Sequence, residues 1–369
     1  MRDQIPPSIL EQRLSSFRKQ LEQSGIESAI ITDEINGFYF TGFNSSNSII
    51  IVTKDQAIYL TDFRYYYIAK NSIKHFDVRE LHGGEVWDLV MDICKSHQLG
   101  LPFYSLTYEY FLKVSEKLHP ADYYFVDIGN IIKSMRAIKD NYEIALMTKA
   151  LRNTEDIVIS AFRSIKPSIS EKTISNNIIK SFIDSDTCEA FETIVAFSEN
   201  AANCHAVPQS HRIMSEELSN ENCCLIDMGC KFQNYCSDLT RTVLYNNSNS
   251  KLRSCFEIVN EANLAATEAV KPGVLCSDID LAGRKIIDLS GYGDCFGHSI
   301  GHGVGIQTHE EPFVSKTSST VLKPGMVITI EPGIYIKDEF GIRIENMVLV
   351  TETGYEVMTK LQNNILPLL

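Results

Sequence analysis

Between Phe296 and Glu345 the chain carries four motifs: His298-Ser-Ile-Gly-His302-Gly-Val-Gly, His309-Glu310-Glu311-Pro312, Thr329-Ile-Glu331-Pro-Gly333 and Gly341-Ile-Arg343-Ile-Glu345. The histidines, glutamates and arginine sit on short apolar segments broken by glycine, where a purely structural strand needs none of them. Upstream, Leu225-Ile-Asp227-Met-Gly and Tyr235-Cys-Ser-Asp238-Leu-Thr-Arg-Thr-Val each place one acid in a strand-like run. The two aspartates are eleven residues apart (238 minus 227), enough for two short strands and a turn. A hairpin would set their carboxylates side by side. Two adjacent buried carboxylates repel, so one stays protonated or a cation lies between them. The same holds for Glu331 and Glu345, fourteen apart (345 minus 331) across two glycines. With His302 this makes four carboxylates and one imidazole. Such a hard-oxygen set suits two divalent ions of the manganese or cobalt kind better than structural zinc. Two ions roughly 3.5–4 Å apart can share a water and lower its pKa, giving a hydroxide that attacks a polarised carbonyl. His205 and His309 remain as proton carriers and oxyanion donors. Taken singly, each histidine reads as a satisfied core residue and each strand aspartate as a cap. Their clustering at glycine-bounded strand ends carries the chemical reading.

The elements that must position these groups are legible in outline. Residues 11–23 repeat Leu14, Phe17 and Leu21 at helical spacing, ended by Gly25. Strands are expected at Ser28-Ala-Ile-Ile-Ile-Thr, Ser48-Ile-Ile-Ile-Val-Thr and Ala57-Ile-Tyr-Leu-Thr, with turns at Asn36-Gly37 and Gly42. Asp62 opens a helix, a second helical pattern runs from Val86 to Cys94, and a strand at Tyr123-Phe-Val-Asp-Ile closes a small α/β domain, placed at residues 1–128. Residues 129–139 read as a helical connector at the start of a second domain, 129–369. Asp140, with Glu143 as its capping-box partner, starts a helix, and further helices follow near Ser170, over Ser254–Val270 and from a cap at Ser277. The second domain also repeats itself. His205 and His309 differ by 104 (309 minus 205), as do Asp227 and Glu331 (331 minus 227), while Lys166-Pro167 recurs as Lys271-Pro272. Two duplicated helix–helix–strand halves would meet face to face, each giving one histidine and one carboxylate to a shared crevice.

A chain of 369 residues with 44% hydrophobic and 22% charged residues is of ordinary globular composition, and its length fits two domains. The net charge of −13 argues against nucleic acid and anionic membrane as partners. Met1-Arg-Asp-Gln-Ile-Pro-Pro has no apolar signal-like core, so a cytoplasmic location is expected. The ten cysteines include no CxxC pair and are expected to be reduced, most of them buried.

These motifs, together with Phe191-Glu-Thr-Ile-Val-Ala-Phe, Asn200-Ala-Ala-Asn-Cys-His205-Ala and Tyr335 after Glu331-Pro-Gly, resemble the pita-bread metallopeptidases in their Xaa-Pro branch, aminopeptidase P and prolidase. The resemblance is strong over the C-terminal two thirds. It is looser in the N-terminal third, through Asn36-Gly-Phe-Tyr-Phe-Thr-Gly42-Phe and Asp62-Phe-Arg64-Tyr65. It implies an α+β architecture: a C-terminal pita-bread fold with a pseudo-twofold repeat, preceded by a smaller creatinase-like α/β domain. It implies that Asp227, Asp238, His302, Glu331 and Glu345 hold two divalent ions, with Asp238 and Glu345 bridging; manganese is expected, with cobalt or zinc as alternatives. It further implies that His205 and His309 act on the substrate carbonyl, that Glu331 shuttles a proton, and that His298, Tyr335, Arg343 and Phe191 surround the bound substrate. The implied substrates are peptides with proline at the second position, and the implied assembly is a homodimer or homotetramer.

Xaa-Pro aminopeptidase is the expected activity, with Xaa-Pro dipeptidase (prolidase) as the alternative. A methionine-aminopeptidase-like enzyme lacks the N-terminal domain, and a non-catalytic scaffold would not retain all five ligands. Two positions depart from the family pattern. Asn346 stands where aspartate usually follows the bridging glutamate, which is expected to bear on the orientation of Arg343. Cys204 stands where proline or another small residue usually precedes the histidine.

Overall fold

Helix Pro7–Gln23 opens the chain and buries Leu10, Leu14, Phe17 and Leu21, a single apolar stripe at helical spacing. The computed structural model describes residues 5–82, 85–95, 98–118, 121–217, 223–245 and 248–364. They form two units, Met1–Arg136 and Ala137–Leu369.

In the first unit, branched residues build a six-stranded sheet in the order Asp77–Glu80, Ala57–Thr61, Ser48–Thr53, Ser28–Ile31, Gln98–Leu101, Tyr124–Asp127. Its middle three strands are antiparallel and its flanks parallel. Asn36-Gly37 is not the expected turn. It lies inside helix Glu34–Thr41, capped by the Asp33 side chain and closed by Gly42 at φ 67°. The helix cap and one long-range contact override the local turn signal: the Asn36 side chain donates to the cap residue Asp33 (2.8 Å) and accepts from Arg136 (3.1 Å). The connector helix Gly129–Ala137 lies at the end of the first compact unit, which closes at Arg136.

The second unit repeats one arrangement twice. Helix Asn141–Arg163 starts with the expected Asp140–Glu143 capping box, and Ser170 caps helix Glu171–Asp184. Strand Cys223–Met228 then lies between Ile194–Phe197 and Leu239–Leu244, all antiparallel. In the second copy, helices Ser250–Glu268 and Cys276–Leu289 precede strand Val327–Ile330, which lies between Gly301–Gly303 and Asn346–Val350. Ser277 is not the cap of the last helix; Leu275 holds that position without a side-chain bond, and Ser277 falls in the first turn. Each helix pair covers its own apolar cluster, one including Phe182, Ile178 and Ile226, the other Val259, Ile279 and Ile328. Burying side chains of this size contributes roughly 1.5–3 kcal/mol each. The ten cysteines are all free thiols; Cys188 and Cys204 are exposed.

Candidate metal centre

The carboxylates reach the site through interruptions in strand pairing. Val327–Ile330 pairs with Asn346–Val350 up to Ile330↔Asn346, and Gly333–Ile336 pairs with Phe340–Arg343 from Gly333↔Arg343 onward. The register is continuous, but the ladder is not. Pro332 has no N–H to give, and the backbone turns its donors elsewhere. Glu331 N–H goes to Ile300 O (2.8 Å) and Glu345 N–H to Thr240 O (3.2 Å). The two glutamates therefore face one another in the gap. In the other half, Asp227 opposes Thr240, and Asp238 immediately precedes the strand Leu239–Leu244.

His302 lies on the short strand Gly301–Gly303, at an irregularity in its pairing with Glu310–Val314. A Cβ at Gly301 would stand 1.9 Å from Thr329 O, so only glycine lets the two strands approach this closely. His302 Nδ1 bonds Gly303 O (3.1 Å), which leaves Nε2 facing Glu331 Oε1 (3.2 Å) and Asp238 Oδ2 (3.6 Å). Asp238, His302 and Glu345 each offer a ligand atom, all within 4.8 Å of one another. All three are buried, with relative exposures of 4%, 7% and 2%.

This donor set fits divalent ions. Asp227 Oδ1 is buried without a hydrogen-bond partner, while its Oδ2 accepts from Arg343 Nη2 (2.6 Å). Burial, then repulsion from neighbouring carboxylates, pushes the Asp238 and Glu345 carboxyls up; burial also raises Asp227, against the pull of Arg343. Glu331 moves the other way: burial opposes its ionisation, but the His302 imidazole outweighs that and holds it low. Carboxyls forced together in this manner are stabilised as anions by a cation among them.

Around these groups lies a cleft of about 540 Å³, lined by all five and by Phe191, His205, His298, His309 and Arg343. His309 is exposed, with its ring centroid 4.3 Å from that of His302 in an edge-on arrangement. Tyr335 does not line the cleft. It acts through a relay: Arg343 Nη1 donates to Tyr335 Oη (2.8 Å), which leaves the phenol proton for His298 Nε2 (3.0 Å), while His298 Nδ1 faces Ser299 O (2.8 Å). Arg343 also bonds Thr240 Oγ1 (3.0 Å) and Cys204 O (3.2 Å). The structure thus brings the eleven candidate residues together.

Two contributing residues escaped the motif reading. Thr240 Oγ1 donates to Glu345 Oε2 (2.7 Å), and Thr329 Oγ1 to Glu331 Oε1 (3.2 Å). Each stands two positions from a carboxylate along a strand, and the two-residue period would have found both. Asn346 does not contact Arg343, contrary to expectation. Its side chain bonds Arg241, Asn263 and Asn363 instead, because it points away from the cleft.

Comparison with known proteins agrees with this geometry. The model of metallopeptidase family M24 matches residues 145–352, and that of the creatinase/prolidase N-terminal domain matches 13–138. The Xaa-Pro dipeptidase of Pyrococcus furiosus is 34% identical over 360 residues, 97% of this chain and 100% of the relative. Among solved structures, an Xaa-Pro dipeptidase from Bacillus anthracis superimposes with a TM-score of 0.88 at 29% identity, covering 95% of this chain and 98% of the other. An X-Pro aminopeptidase from Thermotoga maritima gives 0.84 at 31%, covering 94% and 99%. The fold is the pita-bread fold preceded by a creatinase-type domain, and the family's enzymes use a dinuclear divalent metal centre. From ligand geometry, sequence and fold alike, the chain belongs to metallopeptidase family M24.

Proposed function

We propose that this protein is an Xaa-Pro dipeptidase that hydrolyses the bond between an N-terminal residue and a following proline. The observation that carries the metallopeptidase chemistry is the convergence of Asp238, His302 and Glu345 in the cleft, with Asp227 and Glu331 beside them. The dipeptidase reading departs from the aminopeptidase expected from motifs alone. It is favoured because the Pyrococcus furiosus relative and the Bacillus anthracis structure are both Xaa-Pro dipeptidases.

In this reading Asp227, Asp238, His302, Glu331 and Glu345 hold two divalent ions, manganese by preference, which would supply Lewis-acid polarisation of the scissile carbonyl and ease deprotonation of the attacking water. Thr240 holds Glu345 Oε2 and Thr329 holds Glu331 Oε1, the oxygen that also faces His302 Nε2, fixing each carboxylate's orientation. His309 and His205, at the mouth of the cleft, donate hydrogen bonds to the oxygen that becomes negative as the carbonyl is attacked. The scissile bond is a tertiary amide whose nitrogen bears no hydrogen. Its departure therefore needs a proton, which Glu331 receives from the water and delivers to the proline nitrogen. His298, oriented by Tyr335 and Arg343, and Phe191 form the wall against which the proline ring rests.

The test is hydrolysis of Xaa-Pro against Xaa-Pro-Yaa by manganese-loaded protein. Cleavage of the dipeptide alone is expected. Equal or faster cleavage of the tripeptide would return the assignment to the aminopeptidase, and cleavage of neither would sink the Xaa-Pro reading.

A further inference from the structure

Behind Glu345, on the side away from the cleft, lies Arg241, the largest fully buried side chain among the described residues. Its Nε donates to Gln362 O (2.9 Å), Nη1 to Thr240 O (2.9 Å) and Glu345 O (2.6 Å), and Nη2 to Asn346 Oδ1 (2.9 Å) and Leu361 O (2.5 Å). All five N–H groups of the guanidinium are thereby used. All five acceptors are neutral oxygens. Two of the acceptors belong to the segment Met358–Asn363. That segment is fastened independently of Arg241: Met358 N–H bonds Met347 O (2.9 Å), Met347 N–H bonds Thr359 Oγ1 (2.9 Å), and Leu361 N–H bonds Glu155 Oε1 (2.8 Å) on the helix Asn141–Arg163.

Asn346 completes the arrangement. Its Nδ2 donates to Asn263 Oδ1 (2.9 Å) and Asn363 Oδ1 (3.0 Å). Asn263 cannot reverse its amide without loss, because its Nδ2 already serves Ile330 O (2.7 Å) and Ile344 O (3.1 Å). An aspartate at 346 would set oxygen against oxygen there, so the departure at this position matches its surroundings.

We propose that the segment Met358–Asn363 is a working part of the metal centre: by holding the Arg241 guanidinium it fixes the backbone of Thr240 and Glu345, and so sets the affinity of the site for divalent ions. Arg241 is a positioning residue, and the inference rests on the reading of Asp238 and Glu345 as metal ligands. The site's geometry then depends on a segment that touches neither ion nor substrate. Groups of this kind, one layer behind the ligands, govern affinity by tenfold or more in metal sites generally.

Calorimetric titration with Mn²⁺ of the full chain, of a chain ending at Lys360 and of Arg241→Lys tests this. Both variants are expected to bind about tenfold more weakly, with far-UV dichroism unchanged, and added peptide 361–369 to restore the shortened chain. Should the shortened chain not fold, Arg241→Lys, which keeps the charge but loses the planar fork, decides alone. If the segment only adds stability, its loss will lower the melting temperature of the metal-free protein and leave Mn²⁺ affinity within twofold, which overturns the proposal. A full chain that binds no Mn²⁺ overturns the ligand reading itself, and the proposal with it.

Discussion

Glu331 and Glu345 stand opposite one another in a gap of a hairpin whose register is unbroken, between the pairs Ile330↔Asn346 and Gly333↔Arg343. Regular pairing there would commit both backbones to each other. With the ladder open, each N–H bonds a different strand or loop and both carboxylates turn toward His302 and Asp238. Without a cation, that closeness is costly.

The cost has a pH signature. Burial, then Glu331 and Asp227, raise the Glu345 pKa above its ordinary value. A carboxyl raised in the folded state favours folding below its unfolded pKa and loses that contribution as pH rises through the folded one. Metal-free protein should therefore lose stability from weakly acidic pH into the neutral and weakly alkaline range, and Glu345→Gln should flatten the profile while abolishing Mn²⁺ binding. Melting curves of both proteins in chelator, against pH, measure it; parallel profiles would contradict the assignment.

His309 touches the cleft but is not among the five ligands. His309→Ala should keep its metal, while kcat falls by about 10²–10³-fold, the usual effect of removing an oxyanion donor. Metal content by elemental analysis and steady-state kinetics check both halves of the statement; a metal-free variant would move His309 into the ligand set.

Arg343 spends its donors on Asp227, Thr240, Tyr335 and Cys204 O. A lysine cannot reproduce that fan. Losing one charged hydrogen bond costs roughly 1.5–3 kcal/mol, so Arg343→Lys should lower kcat/KM by at least about tenfold. Tyr335→Phe breaks the links to His298 and to Arg343 Nη1 but leaves Arg343 its bonds to Asp227, Thr240 and Cys204 O, and should raise KM for proline dipeptides more than it lowers kcat.

Gly301 offers a purely steric test. The missing Cβ would sit 1.9 Å from Thr329 O, so Gly301→Ala must push the His302 strand away from Val327–Ile330. Loss of Mn²⁺ binding with the first unit still folded is expected; calorimetry and near-UV dichroism report it.

Much of this site was legible because its residues are chemically loud. An acid in an apolar strand, as at Asp227, or a histidine between glycines, as at His302, contrasts with its neighbours. The Asp140–Glu143 cap was legible for the same reason: a local side-chain pattern produces a local hydrogen bond. Asn36-Gly37 misled because its conformation is decided by Asp33 and Arg136, the latter a hundred residues away. Arg241 was silent for a deeper reason. Four of its five acceptors are backbone carbonyls, two of them some 120 residues distant, and a carbonyl is the same in every amino acid. Such partners leave no residue pattern to read.

The hairpin holding the two glutamates is gripped by paired strands on both sides of its gap, and beyond the outer ladder lies an exposed turn at Lys337-Asp338. The pairs Gly333↔Arg343 to Ile336↔Phe340 stand between the turn and the carboxylates. A reporter group or a short affinity handle grafted at Asp338 would ride on the hairpin that carries Glu331 and Glu345, with the outer ladder between it and both carboxylates.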